Sequence, residues 1–303
     1  MQKTSDTISQ PARGPGCDAP QRCLLGLIGS GIQASLSPAM HEREALEQGL
    51  RLHYQLIDLD FVDRGADALP DLVNAARAMG FAGLNITFPC KQTVIPLLDE
   101  LSDEAAAIGA VNTIVFRDGR SVGYNTDSTG WRWGFERALT EASLAKVVLL
   151  GAGGAGSAIA HALMRMECAS LAIVDPLIAR ARHLAEQLNH AYPGARARAS
   201  DKLEMALQAA SGLVHATPTG MVKSPGLPLP AQLLNPALWV SEVVYFPLQT
   251  ELLQVAALCG CRTVDGGGMA VGQAVGAFEL FTGRQPDAAR MQRHFADLVA
   301  AAR

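Results

Sequence analysis

The chain has 303 residues, 49% of them apolar and 18% charged, with a formal net charge of −4. That length predicts about two domains with sizeable cores, and it excludes a disordered chain and a non-specific polyanion binder, so no nucleic-acid partner is expected. No apolar run approaches the roughly 18 residues of a membrane span, and no membrane partner is expected.

Residues 1–22, rich in Pro, Gly, Ser and Gln, lack the apolar core of a secretion leader and read as a mobile tail of a cytoplasmic protein. Residues 24–29 are a short apolar run closed by glycine, which predicts a buried strand. Ser37-Pro38 opens a helix carrying residues 40–49, with serine as cap and proline in the first turn. A strand over residues 54–59, a helix over residues 70–79 and a strand over residues 84–87, cut by Phe88-Pro89, follow. Asp103–Ile108 reads as a helix, and residues 113–116 as a strand turning at Asp118-Gly119. A new cycle starts at Lys146: a buried strand over Val147–Leu150, the turn Gly151-Ala152-Gly153-Gly154-Ala155-Gly156, an apolar helix to about Met166, and a strand over Leu171–Val174. A helix over residues 179–189 and strands over residues 212–216, 238–244 and 262–264 continue the alternation. Helices over residues 271–281 and 290–301 close it.

This order predicts an α/β protein of two domains without solenoid repeats. Residues 22–130 are expected to form a first α/β domain, and residues 131–267 a second, Rossmann-type and doubly wound. C-terminal helices within residues 268–303 return to the first domain. The six cysteines, Cys17, Cys23, Cys90, Cys168, Cys259 and Cys261, include no C-x-x-C pair, which predicts reduced thiols and no metal site.

The glycine turn is the first chemical signal. It follows an apolar strand and opens a helix, and an acidic residue, Asp175, ends the next strand nineteen positions after Gly156. Glycines admit a pyrophosphate, the helix N-terminus stabilises its charge, and the acid takes the ribose hydroxyls. The second signal is a set of polar groups where strands of the first domain give way to loops: Ser35-Leu36-Ser37-Pro38, Asn85-Ile86-Thr87-Phe88-Pro89-Cys90-Lys91, Ala110-Val111-Asn112-Thr113 and Tyr124-Asn125-Thr126-Asp127. Taken singly, the serines and Asp127 read as caps, Asn112 as a turn former and Lys91 as a solvated surface residue. Together they offer hydroxyls and amides for a polyhydroxylated small molecule, and one lysine and one carboxylate for moving a proton. Cys90, His41, Trp131 and Trp133 read as packing residues.

These motifs resemble the shikimate dehydrogenases and their quinate/shikimate relatives, from about residue 24 to the C-terminus. Ala216-Thr217-Pro218-Thr219-Gly220-Met221, Gly268-Met269-Ala270-Val271-Gly272-Gln273-Ala274 and Phe281-Thr282-Gly283 carry the likeness further. The resemblance implies reversible hydride transfer between a nicotinamide cofactor and 3-dehydroshikimate/shikimate. It implies Lys91 and Asp127 as the catalytic pair. Ser35, Ser37 and Tyr245 would take the substrate carboxylate, and Thr87, Asn112 and Gln273 its ring hydroxyls. Gly151, Ala152, Gly153, Gly154, Ala155, Asp175, Arg180, Thr217, Val243 and Gly266 would line the cofactor.

NADP-using members carry an Asn-Arg-Thr-x-x-Arg stretch where this chain has Asp175-Pro176-Leu177-Ile178-Ala179-Arg180. Pro176 stands in place of the arginine that grips a 2′-phosphate, so NAD is the expected cofactor, with NADP as the alternative. Two readings compete with shikimate as the substrate: a quinate or dual quinate/shikimate dehydrogenase, and a non-catalytic nucleotide-binding regulatory protein. Retention of both Lys91 and Asp127 favours the enzyme. A monomer or homodimer is expected.

Overall fold

The structure, a computed structural model, describes residues 22–301. The expected tail, apart from Arg22, and Cys17 lie outside the described residues. The chain forms two six-stranded sheets. The first contains β1 (Arg22–Gly29), β2 (Arg51–Asp58), β3 (Gly83–Ile86), β4 (Glu100–Leu101), β5 (Thr113–Arg117) and β6 (Arg120–Tyr124) in the order β2-β1-β3-β5-β6-β4. It is mixed: β1 runs parallel to β2 and β3, while β5 is antiparallel to β3 and β6. The second contains β7 (Val147–Leu150), β8 (Leu171–Val174), β9 (Ala197–Ala199), β10 (Gly212–His215), β11 (Trp239–Glu242) and β12 (Arg262–Val264). All its pairings are parallel, in the order β12-β11-β10-β7-β8-β9. The order reverses between β7 and β10, the point where a doubly wound sheet opens its ligand crevice.

The helices are α1 (Ser37–Glu47), α2 (Leu69–Ala78), α3 (Asp103–Ile108), α4 (Asp127–Ala138), α5 (Gly154–Arg165), α6 (Ile178–Ala191), α7 (Leu203–Leu207), α8 (Glu251–Leu258), α9 (Gly267–Thr282) and α10 (Ala288–Ala301). Alternation along β7 splits the second core. Val147 and Leu149 face Trp131, Ile159 and Leu184, whereas Val148 and Leu150 face Leu207, Leu252 and Leu253. In the first sheet Ile28, Leu84 and Ile114 pack with Val73 and Ala105, and on the other side Leu25, Leu27 and Val115 meet Ala277 and Phe281 of α9. The last two helices therefore close the first core, with α10 held by Met291 and Phe295 against Met40 and Val271.

Several local readings need correction. Ser37 is the first residue of α1 and not its cap; Leu36 stands at the N-cap, where its aliphatic side chain has no acceptor to offer the first-turn N–H groups. β1 starts two residues earlier than read, at Arg22, where its ladder with Arg51 begins. β4, β6, β9, α4, α7 and α8 were absent from the sequence pattern. Of these α4 matters most, and its two internal glycines hid it, since glycine weakens a helix signal.

Those glycines serve a close crossing. A Cβ on Gly130 would lie 2.5 Å from the backbone nitrogen of Gln273, and one on Gly134 would lie 2.7 Å from the carbonyl carbon of Gly268. From the other side, a Cβ on Gly272 would lie 2.7 Å from Gly130 Cα. α4 and α9 thus meet backbone to backbone. Overpacking of this kind costs about 1–3 kcal/mol, against roughly 1 kcal/mol that alanine returns in helix propensity. With no side chain able to rotate away, the cost lies at the upper end of that range, and Gly130→Ala is expected to lower stability by about 1–2 kcal/mol. The measurement is the urea midpoint, and an unchanged or raised midpoint would refute the tight crossing.

Candidate active site

Lys91 lies in the turn after β3, and Asp127 is the first residue of α4. Lys91 Nζ stands 2.6 Å from Asp127 Oδ2, with the lysine side chain 16% exposed and the carboxylate 1% exposed. Asn112, just before β5, organises the surroundings. Its Nδ2 reaches Thr126 Oγ1 at 2.9 Å, Asp127 Oδ1 at 3.0 Å and Gln273 Oε1 at 3.3 Å, while its Oδ1 accepts from Thr126 N at 2.8 Å. The backbone N–H of Asp127 donates to Asn125 Oδ1 at 3.0 Å, and Asn125 donates in turn to the carbonyl of Ala110. Such convergence of buried polar groups is favourable only when every member is satisfied.

A chain of hydrogen bonds runs from this pair to a second group of hydroxyls. Asn85 Nδ2 donates to Thr113 Oγ1 at 3.0 Å, and Thr113 donates to Asn112 Oδ1 at 2.9 Å. Tyr54 donates to Asn85 Oδ1 at 2.7 Å, with the Ser37 side chain beside its phenol, and Ser35 is the side-chain neighbour of Tyr245. Burial pushes both phenols above their ordinary pKa, and for Tyr54 the neighbouring Tyr245 adds to it. The structure thus joins Ser35, Ser37, Tyr245, Asn112, Gln273, Asp127 and Lys91. Thr87 follows β3, its methyl packed over Gly29, where a Cβ would come within 2.2 Å. Tyr54 went unnoticed in the sequence; its signal was a lone aromatic at a buried position of an edge strand.

Opposite lies the glycine turn. Gly151 has φ +99°, and a Cβ there would meet the Ala216 carbonyl oxygen at 2.7 Å. A Cβ on Gly156 would fall 2.0 Å from the Gly151 oxygen, so only glycine allows helix and strand to close so tightly. Gly153, by contrast, faces open space at the N-terminus of α5, and Gly154 abuts Lys91, with 3.1 Å from its would-be Cβ to Lys91 Cβ. The free backbone N–H groups and positive end of α5 fit a pyrophosphate, so the residues present suit a dinucleotide. Asp175, at the end of β8, accepts from Ala152 N and from Leu177 N, each at 2.8 Å. Pro176 and Arg180 are exposed, and Thr217 and Val243 are half-buried at strand ends. Gly266 is buried where a Cβ would meet the Val243 oxygen at 2.5 Å.

The residues read as packing groups are engaged in packing, two of them beside the site. Cys90 is buried, and burial pushes its thiol up. His41 pairs with the Ser37 carbonyl at 2.9 Å, and burial brings its pKa down to about 4. Trp131 stacks on Phe135 with centroids 4.7 Å apart, and Trp133 lies beneath Arg137. Among the described residues no cluster of His, Cys, Asp or Glu is arranged to hold a metal ion, and no helix is long and apolar enough to cross a membrane.

Three family models match the chain: "Shikimate dehydrogenase substrate binding domain" over residues 27–114, "Shikimate / quinate 5-dehydrogenase" over residues 135–221 and "Shikimate 5'-dehydrogenase C-terminal domain" over residues 266–294. A Streptomyces avermitilis protein named shikimate dehydrogenase (NADP(+)) is 58% identical, covering 92% of this chain and 97% of its own. A Corynebacterium efficiens protein named quinate/shikimate dehydrogenase (NAD(+)) is 48% identical, covering 91% and 98%. Among solved structures, quinate dehydrogenase from Corynebacterium glutamicum in complex with NAD is 44% identical, with a TM-score of 0.82 over 91% of this chain and 99% of that one.

The contact between Asn112 and Asp127 makes a pH test of the site's geometry. Asn112→Asp would set two carboxyls in hydrogen-bond contact, and one of them should bind its proton more tightly in the folded state. A raised folded pKa gives stability that is present below the unfolded value and lost as pH rises. The loss of thermal midpoint relative to the unmodified protein is therefore expected to grow from about pH 4.5 to about pH 7.5. A constant difference across that range would refute the geometry.

Proposed function

We propose, because the chain belongs to the shikimate dehydrogenase family, that it interconverts shikimate and 3-dehydroshikimate, accepts quinate as the poorer substrate, and prefers NAD to NADP. It is an NAD(P)-dependent oxidoreductase acting on a CH–OH group. In this reading residues 22–130 and the helices after residue 268 bind the substrate, and residues 131–267 the cofactor. The observation that carries it is the buried Lys91–Asp127 pair set against Gly154 at the mouth of the glycine turn. A binder without catalysis has no use for a proton carrier there.

Oxidation of a ring alcohol removes a hydride from carbon and a proton from oxygen. The nicotinamide, when bound, supplies the hydride acceptor. In reduction the Lys91 ammonium gives a proton to the ketone oxygen and is left as the neutral amine; in oxidation that neutral amine takes the proton from the hydroxyl and becomes the ammonium again. Asp127 orients Lys91 and the reacting hydroxyl, Thr87, Asn112 and Gln273 hold the ring hydroxyls, and Ser35, Ser37 and Tyr245 receive the carboxylate. Lys91→Ala is expected to lower kcat by about 10²–10⁴-fold with little change in KM, and Asp127→Asn to be similarly damaging. Near-normal turnover by the Lys91 variant would overturn the assignment. Steady-state specificity constants should rank shikimate above quinate, since quinate's added hydroxyl needs room beside Ser37 and Thr87.

Cofactor choice turns on Asp175. Two of its acceptor sites are taken by the amides of Ala152 and Leu177, which fixes a carboxylate with lone pairs left for ribose hydroxyls. A 2′-phosphate there would face like charge, about 4 kcal/mol of repulsion between unit charges at ~4 Å and an effective dielectric of ~20, before screening. Arg180 is the opposing charge; Pro176 offers none. Water and salt reduce the gap, so a preference for NAD of roughly tenfold to a thousandfold in kcat/KM is expected. Asp175→Ser should narrow it. A preference of the unmodified protein for NADP would mean that Arg180 governs the site.

A further inference from the structure

A second buried polar pair lies under the crevice on the nucleotide side. His215 and Glu242 are the last residues of β10 and β11, register partners in the sheet and 0% and 1% exposed. His215 Nδ1 lies 2.8 Å from Glu242 Oε1. The same oxygen accepts from the backbone N–H groups of Val243 at 2.8 Å and Val244 at 3.0 Å, and Thr250 Oγ1 donates to Oε2 at 3.0 Å. Four donors converge on one carboxylate, so Nδ1 carries a proton and Nε2 faces Thr217 Oγ1 at 2.5 Å. Thr217 Oγ1 in turn accepts from Thr219 N. The loop after β10 settles directly on this assembly: Gly220, at φ +93°, leaves only 3.4 Å from a would-be Cβ to Thr250 Cβ and 4.0 Å to Glu242 Oε2.

We infer that His215 and Glu242 are positioning residues that hold the two strand-end loops facing the crevice, residues 216–221 and 243–250, in one fixed register. Glu242 gathers the start and end of the second loop, which carries Tyr245, through Val243, Val244 and Thr250. It also fixes the imidazole that anchors Thr217 in the first loop. The cofactor wall and the carboxylate-binding tyrosine are therefore set by a single buried unit. A buried pair of this kind adds little net stability compared with apolar residues of similar volume, and its attested use is in fixing geometry. Neither residue reaches the proposed proton path.

The inference rests on the placement of cofactor and shikimate proposed above. Its test uses binding by the full chain, with NAD and shikimate titrated separately by calorimetry and the thermal midpoint recorded alongside. His215→Asn keeps a donor near Nδ1 but cannot reach Thr217; the dissociation constant for NAD should rise about fivefold or more, and that for shikimate should stay within about twofold. Glu242→Ala releases both loops and should weaken both ligands about fivefold or more. Glu242→Gln, which retains an acceptor, should restore both to within about twofold. Should Glu242→Ala fail to fold, Thr250→Val cuts the second loop alone and should weaken shikimate more than NAD. Lowered thermal midpoints with both affinities unchanged would overturn the inference, as would a Glu242→Ala variant that loses only one ligand. Failure of the unmodified chain to bind either ligand would instead overturn the functional reading itself.

Discussion

The backbone contact between α4 and α9 is the constraint on which the crevice depends. α4 leads out of the first sheet and begins with Asp127; α9 follows the second sheet, covers the first and carries Gln273. Because glycine faces glycine at the crossing, the helices have no side-chain layer between them that could shear. Asp127 and Gln273 are thereby brought to the same amide of Asn112, at 3.0 and 3.3 Å. Thr126 Oγ1 adds a bond to the Gln273 carbonyl at 3.1 Å. Two walls that belong to different sheets therefore share one floor. Lighter ties flank it, from Ser157 to the Ile108 carbonyl at 2.6 Å and from Lys223 to Asp60.

Polar groups buried around that floor would be costly if any were left unpaired. The two sides meet the demand in the same manner. On the substrate side an amide, Asn112, gathers the ends of neighbouring segments; on the nucleotide side a carboxylate, Glu242, does so. In each case a side chain at a strand boundary accepts from the backbone of a nearby segment, from Thr126 N in the one and from Val243 N and Val244 N in the other. Rigidity is thus built beneath the cleft, and the hydroxyls of Ser35, Ser37 and Thr87 are left half-buried at its surface.

What the sequence revealed follows from which signals are local. The buried strands announced themselves by apolar runs, and the glycine turn by its place between a strand and a helix, so the α/β order and the nucleotide half were legible. The candidate residues at loop rims were legible through motif likeness, since each alone resembles an ordinary cap or turn former. What depended on distant partners was not. α4 reads as a poor helix until α9 is seen against Gly130 and Gly134. Tyr54 sits in an edge strand and acquires meaning only beside Ser37 and Asn85. His215 and Glu242 look like two unrelated strand ends until parallel pairing sets them side by side. Ser37 misled as a cap because the helix starts at Ser37 itself, with Leu36 at the N-cap and Pro38 in the first turn.

Within the Lys91–Asp127 pair the two partners are held very differently, and this bears on which one can move a proton. The Asp127 carboxylate is almost wholly buried, bonded by Asn112 on one oxygen and by Lys91 on the other, and its backbone N–H is tied to Asn125. Moving it would break contacts reaching into β5 and α9. The Lys91 ammonium has Asp127 as its side-chain partner, retains some exposure, and sits on a flexible four-carbon stem lying along Gly154. An ammonium with three donors can keep its bond to a fixed carboxylate while offering another to a ligand oxygen. A carboxylate anchored on both oxygens has no comparable freedom. The geometry thus separates the two partners: the aspartate is fixed on both oxygens, and the lysine is the group with room to move. That difference also gives the glycine at position 154 a part beyond the turn itself, since a side chain there would press on the Lys91 stem.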